Sequence, residues 1–154
     1  MHPNETLIRK FYEAFARLDG DAMASCYAPD VRFSDPVFPD LQGPRAGGMW
    51  KMLTARAKDL KLETSGFRAD DRTGEAHWEA WYTFSATGRA VHNIIDARFE
   101  FRDGLIVRHV DTFDFWRWSR QALGLPGVLL GWSPMLRNKV RAQAAKGLDL
   151  FLKS

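Results

Sequence analysis

The sequence predicts an α+β fold, with helices segregated to one face of an antiparallel sheet. Two observations carry this. In the first 60 residues apolar side chains recur at three- and four-residue spacing, as on amphipathic helices; from about Trp78 onward the period drops to two, as in strands. A third observation extends the fold. After Ser133-Pro134, an N-cap followed by proline at the first helical position, a new helical stripe begins.

The elements follow in order. Asn4 is a suitable N-cap for a helix carrying Leu7, Ile8, Phe11, Phe15 and Leu18 on one side, and Asp19-Gly20-Asp21 stops it. A short helix is expected over about Ala22 to Tyr27, ended by Pro29, and VRFSDPVF reads as a short strand or extended arm. Gly43-Pro44 opens a third helix with Met49, Leu53, Ala57 and Leu60 on one side. Trp78, Ala80, Tyr82 and Phe84 then alternate with His77, Glu79, Trp81 and Thr83. A second strand covers about Ala90 to Phe101, Asp103-Gly104 marks a hairpin, and LIVRHVDTFDF returns. The apolar but glycine- and proline-rich QALGLPGVLLGW is expected to be a covering loop. Leu136, Val140, Ala144, Leu148 and Phe151 make the stripe of the last helix.

The 154 residues form a single expected domain, 1–154, with a C-terminal helical extension from about residue 116. Aromatic content is high at 13%, with 11 Phe and 6 Trp, pointing to an aromatic-lined cavity or a buried subunit interface beyond an ordinary core. The net charge of +3 is mixed along the chain, and the basic stretch RNKVRAQAAK is broken at helical spacing, so no nucleic-acid partner is expected. One cysteine, Cys26, excludes a disulfide framework and reads as a buried structural thiol. With no long apolar run, neither a secretory signal nor a membrane partner is expected, and the cytoplasm is the default location.

Two motifs carry a resemblance: Tyr27-Ala28-Pro29-Asp30 followed by Phe33-Ser34-Asp35-Pro36, and Phe101-Arg102-Asp103-Gly104-Leu105-Ile106-Val107-Arg108-His109-Val110-Asp111. Over Leu7 to about Phe115 the chain resembles the SnoaL-like and ketosteroid-isomerase-like branch of the nuclear transport factor 2-like superfamily. The resemblance implies a cone: a curved antiparallel sheet wrapped round a long N-terminal helix, with an apolar pocket at one end and the extra C-terminal helix outside the shared pattern. It implies pairing of two copies through the outer sheet face, so a homodimer is expected; Trp81 and Ile94 would supply apolar surface there.

Asp35 falls on the position of the isomerase's general base. In an apolar pocket a carboxylate loses solvation and becomes a better base. The alternative is that Asp35 caps an Asx turn before Pro36. The isomerase's tyrosine donor position matches Phe11 here, with Tyr12 next along as the candidate donor; its second donor position matches Ala97, with Asp96 on the other face. His109 and Asp111, two apart on a strand, share a face, and Asp111 falls where SnoaL-like cyclases carry their acid/base aspartate. That pair suits proton abstraction alpha to a carbonyl; equally it could be a polar pair on the outer face. Trp50 and Trp81 are candidate pocket walls, with Phe15, Phe33 and Phe99 as further lining. His77 and His92 read as exposed sheet residues.

Two functions follow. The first is a cofactor-independent proton-transfer enzyme, of isomerase or cyclase type, acting on a small apolar carbonyl compound, with Asp35, His109, Asp111 and Tyr12 in the catalytic roles and no metal. The second is a non-catalytic hydrophobic-ligand-binding or dimerisation module. An epoxide hydrolase, which needs an Asp-Arg-Asp set, finds only an echo in Arg98 beside Asp96.

Overall fold

A computed structural model describes all 154 residues. Helix α1 spans Pro3–Ala16, α2 Gly20–Ser25 and α3 Pro44–Arg56; strands are β1 Tyr27–Ser34, β2 Leu41–Gln42, β3 Lys61–Ala69, β4 Thr73–Phe84, β5 Arg89–Arg102 and β6 Leu105–Thr112; α4 Phe115–Leu123, α5 Leu125–Leu130 and α6 Pro134–Lys153 complete the chain. One curved, unclosed sheet runs in the order β2-β1-β6-β5-β4-β3. It departs from the expected all-antiparallel pattern at one pair: β1 lies parallel to β6, with Phe33 opposite His109. The α3 helix and the β3–β5 meander between them supply the long crossover that parallel neighbours need.

Local chemistry explains most boundaries. The α1 cap is His2, whose Nδ1 accepts from the Asn4 backbone N–H at 3.0 Å; Asn4, the expected cap, instead donates its side-chain amide to the Asp70 carbonyl. The hairpin between β5 and β6 turns through Asp103 and Gly104, both at positive φ, as a tight two-residue turn requires. Strand β3 escapes a period-two reading because as an edge strand it is largely exposed, and its register shifts between Ser65 and Arg68 around Gly66. Where a covering loop was expected, Asp114 caps α4 through the Arg117 N–H, and Gly124 at φ 71 turns the chain into α5.

The core sits between the sheet's concave face and α1, α3 and α6. Ile8, Phe11 and Phe15 meet Met49 and Trp50 and the inward strand residues Val31, Phe33, Ile95, Phe99 and Ile106. Helix α6 is part of this body. Leu148 is completely buried in the main core, Arg45 pairs with Asp149 at 2.7 Å, and the Arg141 Nε donates to the Pro36 carbonyl. Leu148→Ala should cost about 2–4 kcal/mol of unfolding free energy, as buried leucine truncations do, measured by urea denaturation.

Candidate active site

Of the two acids that the sequence singles out, Asp35 follows directly after β1 and Asp111 lies near the end of β6, the strand paired with β1. Asp111, on β6, is buried, and His109 two residues earlier is completely so. Four side chains form a row. Trp50 Nε1 on α3 donates to Tyr27 Oη on β1 at 2.8 Å. That leaves the Tyr27 hydroxyl hydrogen to donate to His109 Nδ1 at 2.7 Å. The remaining ring hydrogen, on Nε2, then donates to Asp111 Oδ1 at 2.8 Å. Trp78 Nε1 approaches the same oxygen at 3.5 Å, and no side chain bonds Oδ2. The row therefore aims one carboxylate oxygen at its supports and leaves the other free.

Around His109 stands an aromatic shell. Its ring packs 4.3 Å from Phe99, 5.0 Å from Phe33 and 5.5 Å from Phe11, centroid to centroid, and lies nearly parallel to Trp50. Phe15 meets Trp50 and Trp78 edge-on. Four of the expected lining residues, Phe15, Phe33, Trp50 and Phe99, thus gather here, packed against one another and against the polar row. The fifth does not. Trp81 lies on the sheet's opposite face, stacked 4.3 Å over His92, because strand parity sends Trp78, not Trp81, inward. Arg98 and Asp96 share that outer face; Asp96 accepts from or donates to nothing near the acids but bonds His77.

Asp35 combines two readings that the sequence set against each other. Its Oδ1 accepts from the Val37 and Phe38 backbone N–H groups at 2.7 and 2.6 Å, a genuine Asx turn. Yet burial of the carboxyl, aided by the Asp111 charge, outweighs those hydrogen bonds and the positive charge of Arg141, pushing its pKa up to about 7 from the ordinary 3.8. The residue as a whole is half-buried. The Asp111 charge is thus one of the influences on Asp35, behind burial.

Tyr12 completes the group. Its hydroxyl is buried and makes no hydrogen bond, and burial together with the Asp111 charge holds its pKa well above the usual tyrosine value. The ring borders a hollow of about 140 Å³ between α1 and β3. A larger depression, about 610 Å³, lies on the charged outer face beside Arg68, Arg98 and Arg108, away from the acids. Sequence reasoning missed Tyr27 as a functional partner: it was read as part of a family motif, and nothing local shows that it reaches His109, 82 residues away. No three His, Cys, Asp or Glu side chains converge as a metal ion would require.

The sequence matches the SnoaL-like domain family over residues 8–109, and the chain belongs to that family. Its fold is that of nuclear transport factor 2-like proteins. A protein of unknown function with this fold from Burkholderia pseudomallei superposes with a TM-score of 0.68 at 22% identity, covering 79% of this chain and 98% of that one. A candidate polyketide cyclase from Xanthomonas campestris gives 0.65 at 23%, covering 77% and 96%. An LEH-like epoxide hydrolase from M. tuberculosis gives 0.65 at 18%, covering 82% and 95%. At these identities the likeness is one of fold. No curated protein matches the sequence.

The raised Asp35 pKa has a consequence for stability. The folded state holds the proton more tightly than the unfolded chain, so the contribution of neutral Asp35 is fully present below about pH 4 and lost as pH rises towards about 7. Asp35→Asn keeps an acceptor for the two backbone N–H groups and carries no charge. It should therefore be more stable than the wild type at pH 8, by about 1–2 kcal/mol after allowing for partial exposure, with the gain shrinking towards pH 4. Denaturant melts at both pH values measure this.

Proposed function

We propose that this chain is a cofactor-independent cytoplasmic enzyme that moves a proton on a small apolar carbonyl compound, in the manner of an isomerase or cyclase. The observation that carries the reading is the pair of acids with unequal environments. Asp111 is held by His109 with one oxygen free, while Asp35 stays protonated up to about neutral pH. Unequal neighbouring acids divide base and acid roles between them.

In this reading Asp111 Oδ2 takes the proton alpha to the carbonyl. His109, fixed through Tyr27 and Trp50, steadies the carboxylate. The negative charge that develops on the carbonyl oxygen is met by the Tyr12 hydroxyl, which has no partner of its own, and by neutral Asp35. The substrate would be admitted where Asp35, Val37, Tyr82 and Phe113 stand half-buried. Support from the family is of the same kind: one protein of similar fold is a candidate polyketide cyclase. The alternative, a non-catalytic apolar-ligand-binding or dimerisation module, draws on the close aromatic packing around His109.

Exchange of the alpha protons of α-tetralone in deuterated buffer, followed by proton NMR, tests the enzyme reading. Wild-type protein should catalyse exchange, and Asp111→Asn should lose about 100-fold or more, the usual weight of a general base. Because Asp35 serves in its protonated form, the wild-type rate should fall as pH rises past about 7. Exchange no faster than buffer across a panel of cyclic ketones, with the fold intact, would favour the binding module.

We further propose that two copies pair through the outer sheet face, where Trp81 stacks on His92 and Ile94 is 39% exposed. Sedimentation equilibrium at micromolar concentration should then give twice the chain mass of 17.6 kDa.

A further inference from the structure

Helix α5 is built inside out. Its packing face is glycine: a Cβ on Gly127 would stand 1.9 Å from the Ser119 carbonyl oxygen, and one on Gly131, just past the helix, 2.1 Å from Ser119 Oγ. These contacts press α5 against α4. The bulky residues consequently point away from the protein. Leu125 is 68% exposed, Leu129 59%, Trp132 63% and Met135 67%, with Val128 beside them. A helix serving only the fold would present the opposite pattern, with leucine inward. The cluster is also held in place, because Trp116 Nε1 donates to the Val128 carbonyl and Trp132 Nε1 to that of Leu129.

Charge identifies the occupant. Between Phe115 and Leu148 the chain has six basic residues, Arg117, Arg120, Arg137, Lys139, Arg141 and Lys146, and no acidic one. The other 16 of its 22 Lys and Arg face all 19 Asp and Glu, so the rest of the chain taken together is net acidic and this segment is net basic. Arg120 lies over the Trp116 ring, and the Arg89 guanidinium sits against Gly124, at the start of α5. Leucines, a tryptophan and a methionine exposed together, with the exposed Arg120 and Lys139 on the adjoining helices, match the chemistry of a surface that sits at the headgroup level of a bilayer. No helix here is long and apolar enough to cross a membrane, which is a different matter from resting on one.

We propose that this corner, Leu125 to Met135, docks the protein on the surface of an anionic lipid bilayer. The sequence alone led to the opposite expectation, since it has no long apolar run. The corner shares a structural unit with the site: α4, against which α5 packs, donates from Trp118 Nε1 to the Tyr82 hydroxyl. Docking there would bring the half-buried Tyr82 end of the cone near the bilayer, where apolar molecules partition.

The test uses the full chain with extruded vesicles of phosphatidylcholine alone or mixed with phosphatidylglycerol, read by co-sedimentation. Binding to the anionic vesicles should be at least about tenfold tighter than to the neutral ones, with each basic residue engaged contributing about fivefold, and should weaken as salt is added. The double variant Leu129→Ser with Trp132→Ser should lose about tenfold or more. Arg120→Gln with Lys139→Gln should also bind less well and with a shallower salt dependence. All four side chains are on or near the surface, and unchanged melting temperatures would confirm that folding is not the cause. A blue shift of tryptophan emission on binding that disappears in Trp132→Phe would place that side chain in the lipid. Equal or absent binding to both vesicle types would overturn the proposal. So would variants that leave vesicle binding intact but abolish self-association, because a second copy would then be what covers the corner.

Discussion

The row from Trp50 through Tyr27 and His109 to Asp111 is the constraint around which the rest is arranged. A carboxylate, an imidazole and a phenol buried in an aromatic core would each carry a large desolvation penalty if left unpaired. Here each has a partner, and the partners come from α3, β1 and β6. The row therefore fixes how the helix sits over the parallel pair of strands. Its cost is met only while the three elements stay in register, which makes the polar row a specifier of the fold as much as a feature of the site. Phe11, Phe33 and Phe99 exclude water from it, and low polarity in turn strengthens each hydrogen bond.

From that row the neighbouring groups acquire their unusual character. Asp111 is the shared negative charge: it raises the pKa of Asp35 and of Tyr12, in each case as a lesser influence than burial. For Asp35 two opposing effects act on one carboxyl. Two short backbone hydrogen bonds and Arg141 favour its charged form, and desolvation with the Asp111 charge disfavours it. Burial wins. The Asx turn thus positions the acid without making it a strong one.

The fold class was legible in the sequence because it rests on periodicity, and α1, α3, α6 and the β4–β6 strands all declare themselves that way. The pairing of β1 with β6 was not, since it joins segments more than 70 residues apart. The His109–Asp111 pair was visible through its two-residue spacing, but whether it faced inward depended on strand register. Trp81 shows the same ambiguity: β4 carries bulky aromatic residues on both faces, so alternation alone does not say which face is the inside. Pairing with β3 and β5 and the closure over α1 decide in favour of Trp78. Helix α5 escaped because its glycine and proline content reads as a loop, and its apolar residues, expected to cover something, face outward instead.

The C-terminal extension, which begins beyond the residues matched by the family, is tied into the site rather than appended to it. Leu148 enters the same core as Trp50 and Phe33. Arg141 holds the Pro36 carbonyl, next to Asp35, and its positive charge is one of the forces that keep the Asp35 pKa from rising further. Trp118 on α4 bonds Tyr82, whose own pKa is raised chiefly by burial and also by the Asp35 charge. Residues up to the end of β6 thus supply both acids, while the extension, through Arg141, adjusts the charge around Asp35.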